Sequence, residues 1–264
     1  MIVSKYFSQQ EHILDTQNIA NLYLELENNL SLKLHGLTYG LDLYIYRPLE
    51  YASSLHKEFV NKYLFSLKNV LFLGMNPGPW GMCQTGIPFG EVNVVKNYLR
   101  VSGTVEYPKN IHPQKPVLGL DCKRKEVSGQ RFWDLINHLT DGDPFRFFKY
   151  CFVHNYYPLA LVDKSQKATN ITPADLKSEQ RKILESVCDE SLKSIIELLH
   201  VSTVVAIGNY VEKRSREVVK HYNLTNVKVV KIPHPSPRAV GTAENWKTIT
   251  IEQLKSNNIL DLFK

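Results

Sequence analysis

The chain has 264 residues, 43% hydrophobic and 22% charged, a balance that supports a globular core and excludes a disordered or fibrous chain. Its longest apolar runs, 70–75 and 201–207, are far too short to span a bilayer, and residues 1–12 are mixed polar, without the apolar stretch of a signal peptide. A net charge of +6 suits a polyanionic partner without identifying one, and the expectation is a soluble, intracellular protein with no membrane partner.

In chain order, a helical segment is drawn over 1–34, followed by short apolar runs that read as strands at 70–73, 150–153, 203–207 and 227–232. Between the second and third runs lies the clearest helical pattern. It is expected to begin with Thr172 as N-cap, Pro173 at the first helical position and Asp175 in the first turn. Its apolar stripe is Leu184, Val187, Cys188, Leu192, Ile195, Ile196 and Leu199. Strands alternating with helices imply an α/β fold, with a central, mostly parallel four-stranded sheet flanked by helices. No repeat, low-complexity tract or linker divides the chain, so residues 1–264 are read as one domain.

Cys83, Cys122, Cys151 and Cys188 are widely spaced, with no C-x-x-C pair, and none of the nine histidines forms a helical ligand pair. Reduced thiols are expected, with no metal and no cofactor.

In open α/β sheets ligands bind beyond the carboxyl ends of the strands. Here three strand ends run into unusual polar sequence: Gly74-Met75-Asn76-Pro77-Gly78-Pro79-Trp80-Gly81, His154-Asn155-Tyr156-Tyr157-Pro158, and Pro233-His234-Pro235-Ser236-Pro237-Arg238. Each has a structural explanation alone, since Gly, Pro and Asn form turns and a histidine between prolines can be an ordinary loop residue. Their combination and order reverse that reading.

The first of these segments continues as Gln84-Thr85-Gly86-x-Pro88-Phe89-Gly90 and resembles the first motif of the single-strand-selective monofunctional uracil-DNA glycosylases. His234-Pro235-Ser236-Pro237-Arg238, with Trp246 downstream, resembles that family's second motif. Val127-Ser128-Gly129-x-Arg131-Phe132-Trp133, Phe152-Val153-His154-Asn155 and Asn170-x-Thr172-Pro173-Ala174 also match, and the likeness runs from about Leu34 to the C-terminus. It implies an enzyme that flips uracil, or a 5-substituted uracil such as 5-hydroxymethyluracil, out of single- or double-stranded DNA and hydrolyses its bond to the sugar. The strand is left uncut at an abasic site. A monomer working in the nucleus is expected.

The resemblance also implies roles. Asn76 positions the attacking water; an amide is too weak a base to do more than orient it. His234 stabilises negative charge growing on uracil O2. Phe89 stacks on the flipped base, Asn155 reads its edge, the Met75 backbone touches it, and Gly78 leaves room beside C5. Arg238 is the wedge that fills the vacated stack, and Ser236 holds a phosphate. Ser165, Lys167 and Thr172 form a second DNA-contacting stretch, helped by a helix N-terminus at Thr172. Trp80, Tyr156-Tyr157 and residues 239–244 depart from the family pattern without touching Asn76, Asn155 or His234.

Two rival readings stand beside this one. A catalytically silent DNA-binding protein on the same scaffold would be free to lose Asn76 or His234, and both are present. The other is a related α/β enzyme acting on free nucleotides or on thymine mismatches; a nucleotide enzyme has no duplex to pry open and no use for the Pro-Ser-Pro-Arg segment.

Overall fold

The computed structural model describes residues 3–237 and 244–263, with side chains from residue 18 onward. In chain order the strands are β1 (Leu43–Tyr46), β2 (Val70–Gly74), β3 (Cys151–Asn155), β4 (Ala160–Asp163), β5 (Asn170–Ile171), β6 (Thr203–Ile207) and β7 (Lys228–Ile232). The helices are α1 (Val3–His35), α2 (Pro48–Tyr51), α3 (Ser53–Tyr63), α4 (Met82–Thr85), α5 (Val127–Leu139), α6 (Pro144–Phe148), α7 (Ser178–Leu199), α8 (Asn209–His221) and α9 (Trp246–Ser256).

The four apolar runs become one parallel sheet in the order β3-β2-β6-β7, flanked by helices. Every residue of β2 and β3 is buried, which is why both read as unbroken apolar runs instead of alternating ones. Val70 lies opposite both Cys151 and Thr203, Gly74 opposite Asn155, and Ile207 opposite Ile232, so the four carboxyl ends reach one edge together. The chain leaves β2 toward β3 on one side and leaves β6 toward β7 on the other. That reversal opens the crevice in which such sheets bind ligands. Main-chain bonds continue past the strand ends: the Tyr156 N–H donates to Gly74 O and the Tyr157 N–H to Met75 O, each at 2.9 Å.

A second, antiparallel sheet in the order β1-β4-β5 has no counterpart in the sequence reading. Its strands have two to four residues and carry no clear period. The hairpin between β4 and β5 turns on Asp163, whose Oδ1 accepts from the Ser165 N–H at 3.1 Å and the Thr169 N–H at 2.9 Å.

The helix expected to start at Thr172 starts at Ser178 instead. Asp175 closes a local box, its Oδ2 accepting from the Thr172 N–H and hydroxyl at 2.7 Å each, around a single 3-10 turn, Pro173–Asp175. Buried Leu176 and then Lys177 are extended (ψ 151° and 150°), so the chain must begin the long helix afresh. The expected stripe is correct beyond that break: Leu184, Cys188, Leu192, Ile195, Ile196 and Leu199 are buried.

Helix α1 lies against α7 and α3 through Ile19, Ala20, Tyr23, Leu30 and Leu34. Among these apolar side chains sits a buried polar knot. The Glu27 carboxylate accepts from the Tyr23 hydroxyl at 3.0 Å and from His56 Nε2 at 2.5 Å. His56 Nδ1 faces the Gly86 carbonyl oxygen at 2.8 Å; with acceptors on both ring nitrogens, His56 carries both protons and a positive charge. His154 Nδ1 lies 2.8 Å from the Tyr23 oxygen. Burial opposes charge on Glu27, but His56 and His154 overcome it and hold the carboxyl down to about 2. Burial likewise opposes the His56 cation, and Glu27 raises its pKa regardless.

Candidate active site

The carboxyl edge of the parallel sheet encloses a cavity of about 230 Å³, and Met75, Asn76, Gly78, Phe89, Asn155 and His234 all line it. The six side chains or backbones singled out for chemistry and base binding therefore share one pocket. They come from the loops after β2 and β7 and from the last residue of β3.

His234 follows β7 by two residues and is held from both sides. The Trp246 indole N–H donates to Pro233 O at 2.7 Å, and an Arg131 guanidinium N–H to Pro235 O at 3.4 Å. The Ser236 N–H donates to His234 Nδ1 at 3.1 Å. A backbone N–H can only donate, so Nδ1 is the unprotonated nitrogen and Nε2 carries the hydrogen. Burial lowers the His234 pKa, so the ring is a neutral donor through Nε2 at neutral pH. Gly208, at φ +98°, passes beneath it, and a Cβ there would stand 3.5 Å from the His234 Cβ.

Asn76 follows β2 by two residues. Its Nδ2 donates to Pro77 O at 3.2 Å, which leaves the side-chain carbonyl oxygen as the group able to accept from water in the pocket. The loop around it is locked by buried Gln84, whose Nε2 donates to Pro79 O at 2.8 Å and Pro116 O at 3.0 Å. Gln84 Oε1 accepts from the Leu118 N–H at 2.7 Å. Met75 is half-buried and its carbonyl is taken by Tyr157, so a backbone contact with a base falls to its N–H.

Asn155 ends β3 and is buried, with Nδ2 3.0 Å from Met82 Sδ. Its Oδ1 lies over Gly74, where a Cβ would meet it at 2.3 Å and the Phe89 ring at 2.8 Å. Gly74 is thus needed for close approach, a role that its place in a turn-like sequence concealed. Phe89 adopts φ +55°, a conformation costly for an aromatic residue. It is held there by Gly90 N–H to Ile87 O and Glu91 N–H to Phe89 O, both 2.8 Å, and it stacks on Phe132 at 4.8 Å.

Of the proposed DNA contacts, Thr172 lines the pocket mouth, while Ser165 and Lys167 are exposed on the β4–β5 hairpin. The Ser165 hydroxyl donates to Asp163 Oδ1 at 2.7 Å. The helix N-terminus expected at Thr172 is only the 3-10 turn described above, so it supplies no helix dipole. Ser236 is half-buried beside His234, and Arg238 lies outside the described residues.

The departures at Tyr156 and Tyr157 point into the core. Tyr156 donates to Asp189 Oδ1 at 2.7 Å and packs beside Tyr210, binding the pocket floor to α7 and α8. Trp80 is half-buried and does not line the pocket, with the Arg124 guanidinium 4.2 Å from its ring centre.

Pro77, Pro79, Ser128 and Asn170 also line the pocket and were noted only as parts of motifs, while one further lining residue stood in none of them. Glu126, the N-cap of α5, reaches into the wall beside Gly78. In sequence it follows Lys123-Arg124-Lys125 and reads as part of a solvated charged run. Among the described residues no histidine, cysteine or carboxylate cluster is arranged to hold a metal ion. No helix among them is long and apolar enough to cross a membrane.

A family model described as the uracil DNA glycosylase superfamily matches residues 64–255. The single-strand selective monofunctional uracil DNA glycosylase of Mus musculus is 43% identical over 249 residues, covering 94% of this chain and 88% of its own. The Bos taurus protein of the same name is 42% identical over 247 residues, covering 93% and 89%. The crystal structure of wild-type SMUG2 from Pedobacter heparinus superposes with a TM-score of 0.62 at 18% identity, covering 89% of this chain and 97% of that one. That last likeness is one of fold.

Proposed function

Because this chain belongs to the uracil DNA glycosylase superfamily, we propose that it removes uracil and 5-substituted uracils, 5-hydroxymethyluracil among them, from single- and double-stranded DNA by hydrolysis alone. The observation that carries this reading is the fixed tautomer of His234, with its Nε2–H donor in the same small pocket as Asn76, Asn155 and Phe89.

Loss of the base passes through a sugar with oxocarbenium character and a departing uracil anion. A neutral imidazole held by the Ser236 N–H, on a loop that Trp246 pins at Pro233, presents its N–H to the charge growing on O2 without reorganising. The Asn76 carbonyl oxygen orients a water toward the sugar; with the leaving group largely gone, positioning is enough. Phe89 offers a face for stacking. The Asn155 amide pairs with the base edge, accepting from N3–H and donating to O4, the pattern opposite to cytosine's. Gly78 sets no side chain of its own beside C5, and the Met75 N–H is the remaining backbone donor.

The duplex side of the reading rests on Ser165, Lys167, Thr172 and Ser236 as backbone contacts and on Arg238 as the wedge. The net charge of +6 suits that partner. The protein is proposed to act as a monomer in the nucleus.

The test is one incubation with a uracil-containing oligonucleotide, with and without alkali, followed by a sizing gel. Strand breaks are expected only after alkali and unchanged by EDTA. Breaks without alkali, or trapping of a covalent complex by borohydride, would overturn hydrolysis as the only step.

A further inference from the structure

Glu126 has no part in the reaction outlined above, yet it lines the pocket. Its side chain folds back between the glycines of the β2 loop. A Cβ at Gly78 would meet Oε1 at 1.9 Å, and a Cβ at Gly81 would meet Oε2 at 1.7 Å, so the carboxyl fills space that only glycines leave. Gly129 completes the fit on the α5 side, where a Cβ would stand 3.1 Å from Oε2. Oε2 is sealed from solvent and has no hydrogen-bond partner among the described residues. Nor does Glu126 cap its own helix, since no side-chain cap bond forms there. Buried polar atoms are almost always satisfied, so a carboxyl wedged into a pocket wall with Oε2 unpaired is not there to tie the fold together, and Oε1, beside Gly78, is the oxygen turned toward a ligand.

We infer that Glu126 is a specificity-determining residue, whose carboxyl hydrogen-bonds a polar substituent of the hydroxymethyl class on the base edge facing Gly78. This rests on the base-excision reading and adds to it a rule of selection. Burial, with the negative charge of Glu91 adding to it, raises the Glu126 pKa to about 7. Below that pH the carboxyl keeps its proton and both donates and accepts, and above it the carboxylate still accepts from a hydroxyl. Uracil without a substituent leaves the carboxyl as it is, and a plain methyl group offers it nothing. The pocket thereby sorts C5 substituents by polarity as well as size, and hydrogen-bonding groups discriminate more sharply than apolar ones.

The test is single-turnover excision of 5-hydroxymethyluracil and of uracil, placed in the same single-stranded oligonucleotide, by the full-length protein and three variants. Glu126→Leu removes the hydrogen bond while keeping bulk, and the hydroxymethyluracil-to-uracil rate ratio is expected to fall about tenfold. Glu126→Gln keeps a donor and an acceptor and is expected to hold the ratio within about threefold of the parent. Glu126→Ala, which adds no bulk between the glycines, is expected to behave like the leucine variant and serves if leucine disturbs folding. A ratio unchanged in Leu and Ala, or lowered equally in all three variants, overturns the inference. If the unaltered protein excises neither base, the glycosylase reading falls and takes this one with it. If it excises both and the ratio ignores residue 126, only the role of Glu126 falls.

Discussion

Glu27 and Glu126 are both carboxyls withdrawn from water, and the fold treats them in opposite ways. Glu27 projects from α1 toward His56 of α3, with a hydrogen-bond partner on each oxygen and an imidazolium beside it. Glu126 lies in the pocket wall with one oxygen sealed and unbonded. The first is held charged, and the second keeps its proton up to a pH of about 7. The contrast separates two uses of a buried polar group. Where every partner is supplied by the chain, the group ties elements together: Glu27 reaches the pocket only through His56, which grips Gly86, and His154, the neighbour of Asn155. Where a partner is withheld, the group is available to something from outside.

The largest effect that could break this contrast is on stability. Glu27→Ala strands the His56 cation and leaves the Tyr23 hydroxyl without its acceptor. It is expected to cost about 3–5 kcal/mol in urea unfolding. A loss under about 1 kcal/mol would mean that the knot ties nothing. Chemistry should come apart from stability on the pocket side. Asn76→Ala or His234→Ala is expected to slow excision by about two to three decades, with the unfolding midpoint near the parent's. Near-parental rates would remove the role given to that residue.

A smaller effect is expected at the base reader. Asn155→Asp removes the donor for O4 and sets a negative charge against the departing anion, and uracil excision is expected to fall about tenfold or more. Slight cytosine excision is the accompanying gain to look for, since the new oxygen accepts from an amino group. Unchanged preference would show that another group reads the edge.

The finest test is the sign of the pH dependence. Glu27, lowered from 4.5 to about 2, adds stability above its unfolded pKa and loses it as pH falls through about 2. Glu126, raised from 4.5 to about 7, does the reverse: the unfolded chain ionises first, so stability drains as pH rises across that window and levels off beyond it. Relative to the parent, Glu126→Gln should therefore gain stability between pH 4.5 and 7, while Glu27→Gln should lose most at neutral pH. Unfolding curves at several pH values read both slopes. Slopes of the same sign would show that the two carboxyls do not differ in kind.

Much of this site could be read before folding, because its parts are contiguous. Four apolar runs announced the sheet; Asn76 and His234 each follow a strand by two residues, and Asn155 ends one. What stayed hidden depends on long-range contact. His56 meets Glu27 across 29 positions and His154 meets Tyr23 across 131, and no local pattern marks either pair. Glu126 looked like one more charge in a basic stretch. The clue lay in the glycines: Gly78 and Gly81 suit a turn, but here they also make way for a carboxyl from a distant helix start. The small antiparallel sheet stayed hidden because strands of two to four residues show no period. The break after Asp175 did so because an acidic residue three positions after Thr172 suits either a long helix or a single turn.

The paired bonds from Tyr156 to Gly74 and from Tyr157 to Met75 work as the fixed jaws of a calliper. They set the gap between the water-bearing segment and the edge-reading segment from peptide groups alone. Gly74 apart, side chains along those jaws can be exchanged, altering what is recognised or how fast it reacts, while the width of the slot stays as the sheet made it. Choice of base and size of slot are thereby inherited separately, and drift in the first need not disturb the second.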